Sequence, residues 1–240
     1  MTNRKVVLVA LSGCSSSGKT TIAKLTAGLY PDATLIHEDD FYKHDSEVPV
    51  DPKRNIQNWD SPEALNILAF ERELEIIKKT GNISQKLIHN NNVDDMKKFQ
   101  IDPMSLTKLK TKYESIDKSI KVVLVDGFMI YNNPVLTSNF DLKLLIRAPY
   151  DVLKARRAAR SGYQTLDSFW VDPPYYFDEF VYKSYRDAHA YLFENDDVEG
   201  SFKPTKRFNI QLFDNSDDVP ITVALDWVCD RIVEVCKENK

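Results

Sequence analysis

The 240-residue chain has only three cysteines, an odd number that makes no disulfide framework. Cys14 lies in a Gly/Ser-rich turn, and Cys229 and Cys236 share a predicted helix, so the thiols suit a reducing compartment. No stretch approaches the ~20 apolar residues of a membrane span. Arg4-Lys5 followed by an apolar run imitates the start of a signal peptide, but the run is too short and feeds directly into the turn. A net charge of −4 gives no electrostatic case for nucleic acid or an anionic membrane as partner. His37, His44, His89 and His189 show no metal-ligand spacing, and no cysteine pair joins them. They read as satisfied or solvent-exposed side chains. No internal repeat is visible. These absences predict a soluble, cytoplasmic protein. The 42% of apolar residues suffice for a real core, in one domain over 1–240.

What is present centres on Gly13-Cys14-Ser15-Ser16-Ser17-Gly18-Lys19-Thr20, followed by Thr21. The spacing fits G-x-x-x-x-G-K-[ST], the P-loop, with an apolar run before it and an amphipathic one after it. Two glycines let the backbone wrap and turn its N–H groups toward phosphate oxygens. The helix beginning near Lys19 points its positive end at the same oxygens. Lys19 adds a point charge that can follow a transferring phosphoryl group, and the Thr20 hydroxyl is placed to ligate Mg²⁺. None of these suffices alone. A helix terminus contributes about 0.3–2 kcal/mol to an anion, whereas micromolar binding requires roughly 8 kcal/mol. The plain alternative is a turn that only joins a strand to a helix.

Residues 6–11 are apolar without alternation, as in a strand buried on both faces. Helical periodicity covers 20–29, and Pro31 ends it. A strand at 34–37 empties into Glu38-Asp39-Asp40-Phe41-Tyr42, at the end of the sheet where open α/β folds bind ligands. Residues 43–60 read as a long loop. Asp60 or Ser61 is the expected cap of a helix running to 79, with Pro62 in its first turn and Gly81 as its stop. Residues 81–101 read as a polar surface excursion, with a short hairpin as one option. Further helices are expected over 104–113, 150–160 and 177–193, and from Pro220 to the end. Further strands are expected over 122–127, 142–147 and 208–213, and a Gly/Pro/aromatic loop over 161–174. Alternating strands and helices predict an α/β fold, a three-layer sandwich with a parallel sheet and helices on both faces.

Several groups could carry chemistry. The 122–126 run looks like a Walker-B strand whose Asp126 would hold Mg²⁺, directly or through water; alternatively it is a solvent-capped strand end. A kinase acting on an alcohol needs a carboxylate beside the attacking hydroxyl, and Asp39 is the candidate base. Asp39 and Asp40 could equally cap a turn. Trp59-Asp60 offers a stacking face beside an acid that a sugar diol could address. From the residues alone, a hydrophobic staple followed by a helix cap is the simpler reading. Arg156, Arg157 and Arg160 lie on neighbouring helical turns. They suit either a lid over about 156–174, neutralising a transferring phosphoryl group, or a solvated basic helix end. The aromatic residues of 175–193 read as helix core.

The ordered set 13–21, Glu38-Asp39-Asp40-Phe41-Tyr42-Lys43, Trp59-Asp60-Ser61-Pro62-Glu63-Ala64-Leu65, Asp126-Gly127-Phe128 and 154–160 with Tyr163-Gln164 resembles the nicotinamide riboside kinases, closest to their fungal members. These belong to the uridine-kinase-like group of P-loop kinases. The resemblance covers most of the chain and implies a nucleoside-kinase-like P-loop NTPase fold. It also implies transfer of a γ-phosphoryl group from ATP or GTP, with Mg²⁺, to the 5′-hydroxyl of nicotinamide riboside or nicotinic acid riboside, a step feeding NAD synthesis. By position, Asp39 would accept the proton and lie near Mg²⁺, with Thr20 as ligand and Asp126 nearby. The segment Asp39, Asp40, Phe41 and Tyr42 would border the substrate. Asp60 would grip the ribose hydroxyls and Trp59 would stack on the pyridine. Arg157, Tyr163 and Gln164 would reach the substrate side. Arg156 and Arg160 would join the loop residues Gly13, Cys14, Ser15, Ser16, Ser17, Gly18, Lys19, Thr20 and Thr21 on the nucleotide. Some members have Tyr where Trp59 stands and Glu where Asp126 stands. The segment Ser168-Phe169-Trp170-Val171-Asp172 has no evident role.

Two other readings use the same loop. A uridine kinase would share the donor site and differ around Trp59, Asp60 and the lid. A GTP-binding switch usually carries N-K-x-D, and no such tetrapeptide occurs. A nucleotide-binding scaffold without chemistry fits poorly with intact Lys19, Thr20, Asp39 and Asp126. Oligomeric state, and the choice between ATP and GTP, have no readable code here.

Overall fold

The structure, a computed structural model, describes residues 4–84, 99, 101–203 and 209–238. Strand β1 (Lys5–Ser12), helix α1 (Lys19–Leu29) and strand β2 (Thr34–His37) open the chain. A short hairpin follows, β3 (Val50–Asp51) with β4 (Ile56–Gln57). Then come α2 (Ile67–Thr80), α3 (Pro103–Glu114), β5 (Ile120–Gly127), α4 (Pro134–Ser138), β6 (Leu142–Arg147) and α5 (Tyr150–Ala158). A second hairpin, β7 (Tyr163–Gln164) with β8 (Phe169–Trp170), leads to α6 (Tyr182–His189), β9 (Ile210–Asp214) and α7 (Ile221–Glu238). The five longer strands form one sheet in the order β2-β5-β1-β6-β9, with every neighbouring pair parallel.

Burial explains the apolar run in β1. Val7, Val9 and Leu11 face Ile22 and Ala23 of α1, Leu109 of α3, and Leu225, Val228 and Ile232 of α7. Leu8 and Ala10 face the other way, toward Phe70, Leu74 and Ile77 of α2 and Leu153 of α5. Successive side chains alternate between the faces of a strand, so a strand covered on both sides must be apolar throughout. Each buried Val, Leu, Ile or Phe among them contributes about 1.5–3 kcal/mol. The result is the expected α/β three-layer P-loop architecture. All five strands run the same way, so their carboxyl ends lie along one edge. Ser12, His37, Asp126 and Arg147 are brought to that edge.

Some local expectations are corrected. Residues 43–60 are not wholly loop, since β3 and β4 pair there. Neither Asp60 nor Ser61 caps α2. Residues Pro62–Ala64 form a single 3-10 turn, and α2 starts later, capped by Asn66, whose side chain accepts the Ala69 N–H at 3.1 Å. The 161–174 loop contains the β7–β8 hairpin. The helix expected over 177–193 is present but changes pitch, with a π turn at Phe177–Val181 continuing into α6 and a 3-10 turn at Ala190–Leu192. Its aromatic residues Tyr176, Phe177, Phe180 and Tyr185 are core, as expected. Cys229 and Cys236 are both buried. Most of the polar excursion at 81–101, and the start of the strand expected at 208, lie outside the described residues.

Candidate active site

One cavity of about 550 Å³ opens along the carboxyl edge of the sheet. Its first end is the turn between β1 and α1. Gly13 (φ +150°) and Gly18 (φ +91°) adopt backbone conformations that suit glycine. A Cβ would lie 2.1 Å from the Ile146 carbonyl oxygen at Gly13, and 2.5 Å from Asn215 Nδ2 at Gly18. Gly18 occupies the cap position of α1. No side chain caps its amides, and the first turn carries no acid. Those amides and the helix dipole are therefore left for an anion. Asn215, just after β9, clamps the loop from outside by donating Nδ2–H to the Ser17 carbonyl at 2.8 Å. Ser15, Ser16, Gly18, Lys19, Thr20 and Thr21 line the cavity.

The middle of the cavity is acidic. Asp39 lines it at the end of β2. Burial holds its carboxyl above the usual range, Lys19 pulls it down, and Asp126 pushes it up again. A raised value suits a group that must accept a proton. Asp126, at the end of β5, stands level with His37 across the β2–β5 pair, with Oδ2 2.9 Å from His37 Nδ1. Burial disfavours its charge, but hydrogen bonding from His37 and Thr20 and the charge of Lys19 bring it below the usual range. His37 in turn is raised, since Asp126 outweighs the effect of burial. No cluster of three or more His, Cys, Asp or Glu that could hold a metal occurs among the described residues. Mg²⁺ bound with a nucleotide needs only one or two protein oxygens, because phosphates and water supply the others. The Thr20 hydroxyl with ionised Asp126 and neighbouring Asp39 meets that need. Glu38 faces away from the cavity and pins β5 by accepting the N–H groups of Phe128 and Met129 at 2.8 and 2.9 Å.

The far end is aromatic and ionic. Trp59 is 7% exposed and Asp60 4%. The Trp59 N–H donates to Tyr176 Oη at 2.8 Å, and Tyr42 meets the indole edge-on. Arg157 is buried between three partners. It makes a two-point contact with Asp172 at 2.6 and 3.1 Å, donates to Ser15 Oγ at 2.8 Å, and lies 3.6 Å from Asp60. Burial pushes the Asp60 carboxyl up, and the Arg157 charge opposes that. The guanidinium also sits 4.5 Å from the Tyr163 ring centroid. Ser168, just before β8, bonds to Asp45, and Asp167 to His44, so the hairpin tip lies against the 44–45 segment.

No protein-family model matches the chain. It is 67% identical over 240 residues to the nicotinamide riboside kinase of Saccharomyces cerevisiae, covering 99% of this chain and all of that protein. The corresponding enzyme of Eremothecium gossypii is 52% identical, with 95% and 93% covered. That of Schizosaccharomyces pombe is 40% identical, with 82% and 85% covered. This chain belongs to the nicotinamide riboside kinase family. It is therefore a phosphotransferase that takes its phosphoryl group from a nucleotide, as this family does, typically with Mg²⁺.

For a nicotinamide riboside kinase, most residues picked from the sequence converge. Ser15, Ser16, Gly18, Lys19, Thr20, Thr21, Asp39, Tyr42, Trp59, Asp60, Arg156, Arg157, Arg160, Tyr163 and Gln164 all line the one cavity. Gly13, Cys14, Ser17, Asp40, Phe41 and Asp126 do not. Gly13 shapes the loop from behind. The Cys14 thiol is buried in the core, which pushes it up to about 12. Phe41 packs on Phe70. Asp40 is turned from the cavity, with burial raising it to about 6. Arg156 is held by Asp217 at 2.8 Å. His37, Trp170 and the 215–217 segment line the cavity without having been picked. Asn215 follows the last strand of the sheet at its ligand-binding edge, and that placement is the signal that could have found it.

Proposed function

We propose that this protein phosphorylates the 5′-hydroxyl of nicotinamide riboside, and of nicotinic acid riboside, using ATP, and so supplies the mononucleotide for NAD synthesis. One observation carries the reading: a single cavity joins a phosphate-binding loop to a carboxylate and then to an aromatic wall with a buried acid. A triphosphate tail seated on the α1 amides and Lys19 leaves the acceptor to reach in from the Trp59 end. Asp39 accepts the hydroxyl proton and orients the attacking oxygen. Lys19 and Arg160 counter the charge on the phosphoryl group in flight. Asp60 takes hydrogen bonds from the ribose diol, and Trp59 offers its face to the pyridine. Thr20 and Asp126, with Asp39 beside them, would hold Mg²⁺. That ion would neutralise phosphate charge.

Residues 1–240 act as one kinase domain, with the segment about 156–174 as lid. Three free, buried cysteines suit the reducing cytoplasm. Among the described residues no helix is long and apolar enough to cross a membrane. The test is phosphoryl transfer from ATP and from GTP to a panel of nicotinamide riboside, nicotinic acid riboside, uridine and cytidine. Preference for a pyridine riboside is the expected result. Preference for uridine or cytidine overturns the acceptor assignment.

A further inference from the structure

Strand β8 and the residues just after it have had no role so far, and two of them, Trp170 and Asp172, meet at the acceptor end. Asp172 Oδ1 accepts both from Arg157 Nη2 and from the Trp170 indole N–H, at 3.1 and 2.8 Å. Its Oδ2 takes Arg157 Nε at 2.6 Å. Trp170 leans on Trp59, with ring centroids 6.3 Å apart and tilted by 57°. A flat ring slotted between two others needs roughly 7–8 Å, twice a carbon contact distance of about 3.5–4.0 Å. Trp170 therefore abuts Trp59 at an angle, and the two indoles leave no slot for a flat ring between them.

The charges around Trp59 are unequal. Arg157 brings one positive charge, and Asp60 and Asp172 bring two negative ones. Arg156 is engaged by Asp217, and Lys19 and Arg160 act on Asp39, although Lys19 also acts on Asp60 and Arg160 lies 5.5 Å from the Tyr163 ring centroid. Asp172 thus adds one negative charge to the acceptor end, which offsets that of Arg157. A pyridinium ring bearing an amide is a cation and gains from that field. The same ring bearing a carboxylate has lost its net positive charge.

We infer that Asp172 is a positioning and specificity-determining residue, which offsets Arg157 from the lid and tilts the acceptor site toward pyridine ribosides without a ring carboxylate. The inference rests on the riboside kinase reading. Its test is kcat/KM for nicotinamide riboside and for nicotinic acid riboside, in the wild-type protein and in Asp172→Asn, which keeps the shape and removes the charge. The ratio of the second to the first should rise about tenfold, the order expected for one unit charge about 12 Å away at an effective dielectric near 20. The KM for ATP should move less than twofold. Asp172→Ser, smaller and also neutral, should shift the ratio the same way. Trp170→Phe removes the indole donor but no charge, and should leave the ratio within twofold. Equal losses on both ribosides in the neutral variants overturn the inference, because a merely loosened lid would produce them. A Trp170→Phe shift as large as that of Asp172→Asn overturns it as well. If the wild-type protein turns over neither riboside, the kinase reading falls and the inference with it. An unmoved ratio in an active enzyme overturns the inference alone.

Discussion

The two ends of the cavity are built on different plans. The donor end is one short stretch of backbone wrapped between β1 and α1, and most of its anion-binding groups are main-chain amides. The acceptor end is assembled from side chains of four separated segments, at 39–42, 59–60, 157–172 and 176. Its order depends on the hydrogen bonds around Arg157 and Tyr176. A backbone cradle tolerates change in most of its side chains. A side-chain assembly does not, because truncating one member leaves another buried without a partner.

Substitutions can break or sharpen that contrast. Asp39→Ala lies where the ends meet and should cost most, about 10²–10⁴ in kcat, the usual range for a general base. Nucleotide binding, measured by titration calorimetry, should survive largely unchanged. A comparable loss of ATP affinity would instead make Asp39 part of the donor end. Asp60→Ala should act on the acceptor end alone, raising the riboside KM more than tenfold and the ATP KM less than twofold. Equal effects would remove the distinction between the ends. Asn215→Ala probes the reverse. It deletes one hydrogen bond to the loop carbonyl of Ser17, a contact of about 1 kcal/mol, so ATP affinity should fall about fivefold with the riboside KM unmoved.

The smallest kinetic effect is expected from the scaffold under the acceptor end. His189 is fully buried, and burial lowers its pKa to about 4, although its Nδ1 contacts the Tyr185 carbonyl at 2.9 Å. Below pH 6.5 the unfolded chain takes up a proton that the folded chain refuses until about pH 4. Stability should therefore fall as pH drops through that window. His189→Gln should flatten the dependence of Tm on pH there, with kcat at pH 7 nearly unchanged. An unaltered slope would show that another group controls acid unfolding.

The same contrast decides what could be read from the sequence. The donor loop is contiguous, and each of its residue types has a physical reason at a fixed spacing. The sheet was legible because strands buried on both faces, such as 6–11 and 122–125, stay apolar throughout. Asp60 had a ribose role only through the resemblance, since from the residues alone an acid before Ser-Pro-Glu also suits a helix cap. Only the later start of α2 and the approach of Arg157, almost a hundred residues away, removes that option. Trp170 was opaque because it packs on Trp59, roughly a hundred residues away, and Asp172 because no local pattern marks it as the partner of Arg157. The β3–β4 hairpin was missed because two-residue strands carry no measurable period.

Cys14 has a practical bearing on inhibitor chemistry. It stands near the start of the phosphate-binding loop, which would invite a covalent warhead. Yet the sulfur is enclosed, and at neutral pH almost none of it is thiolate, the form that attacks electrophiles. Alkylating reagents should pass this enzyme by, and oxidants should leave the loop working.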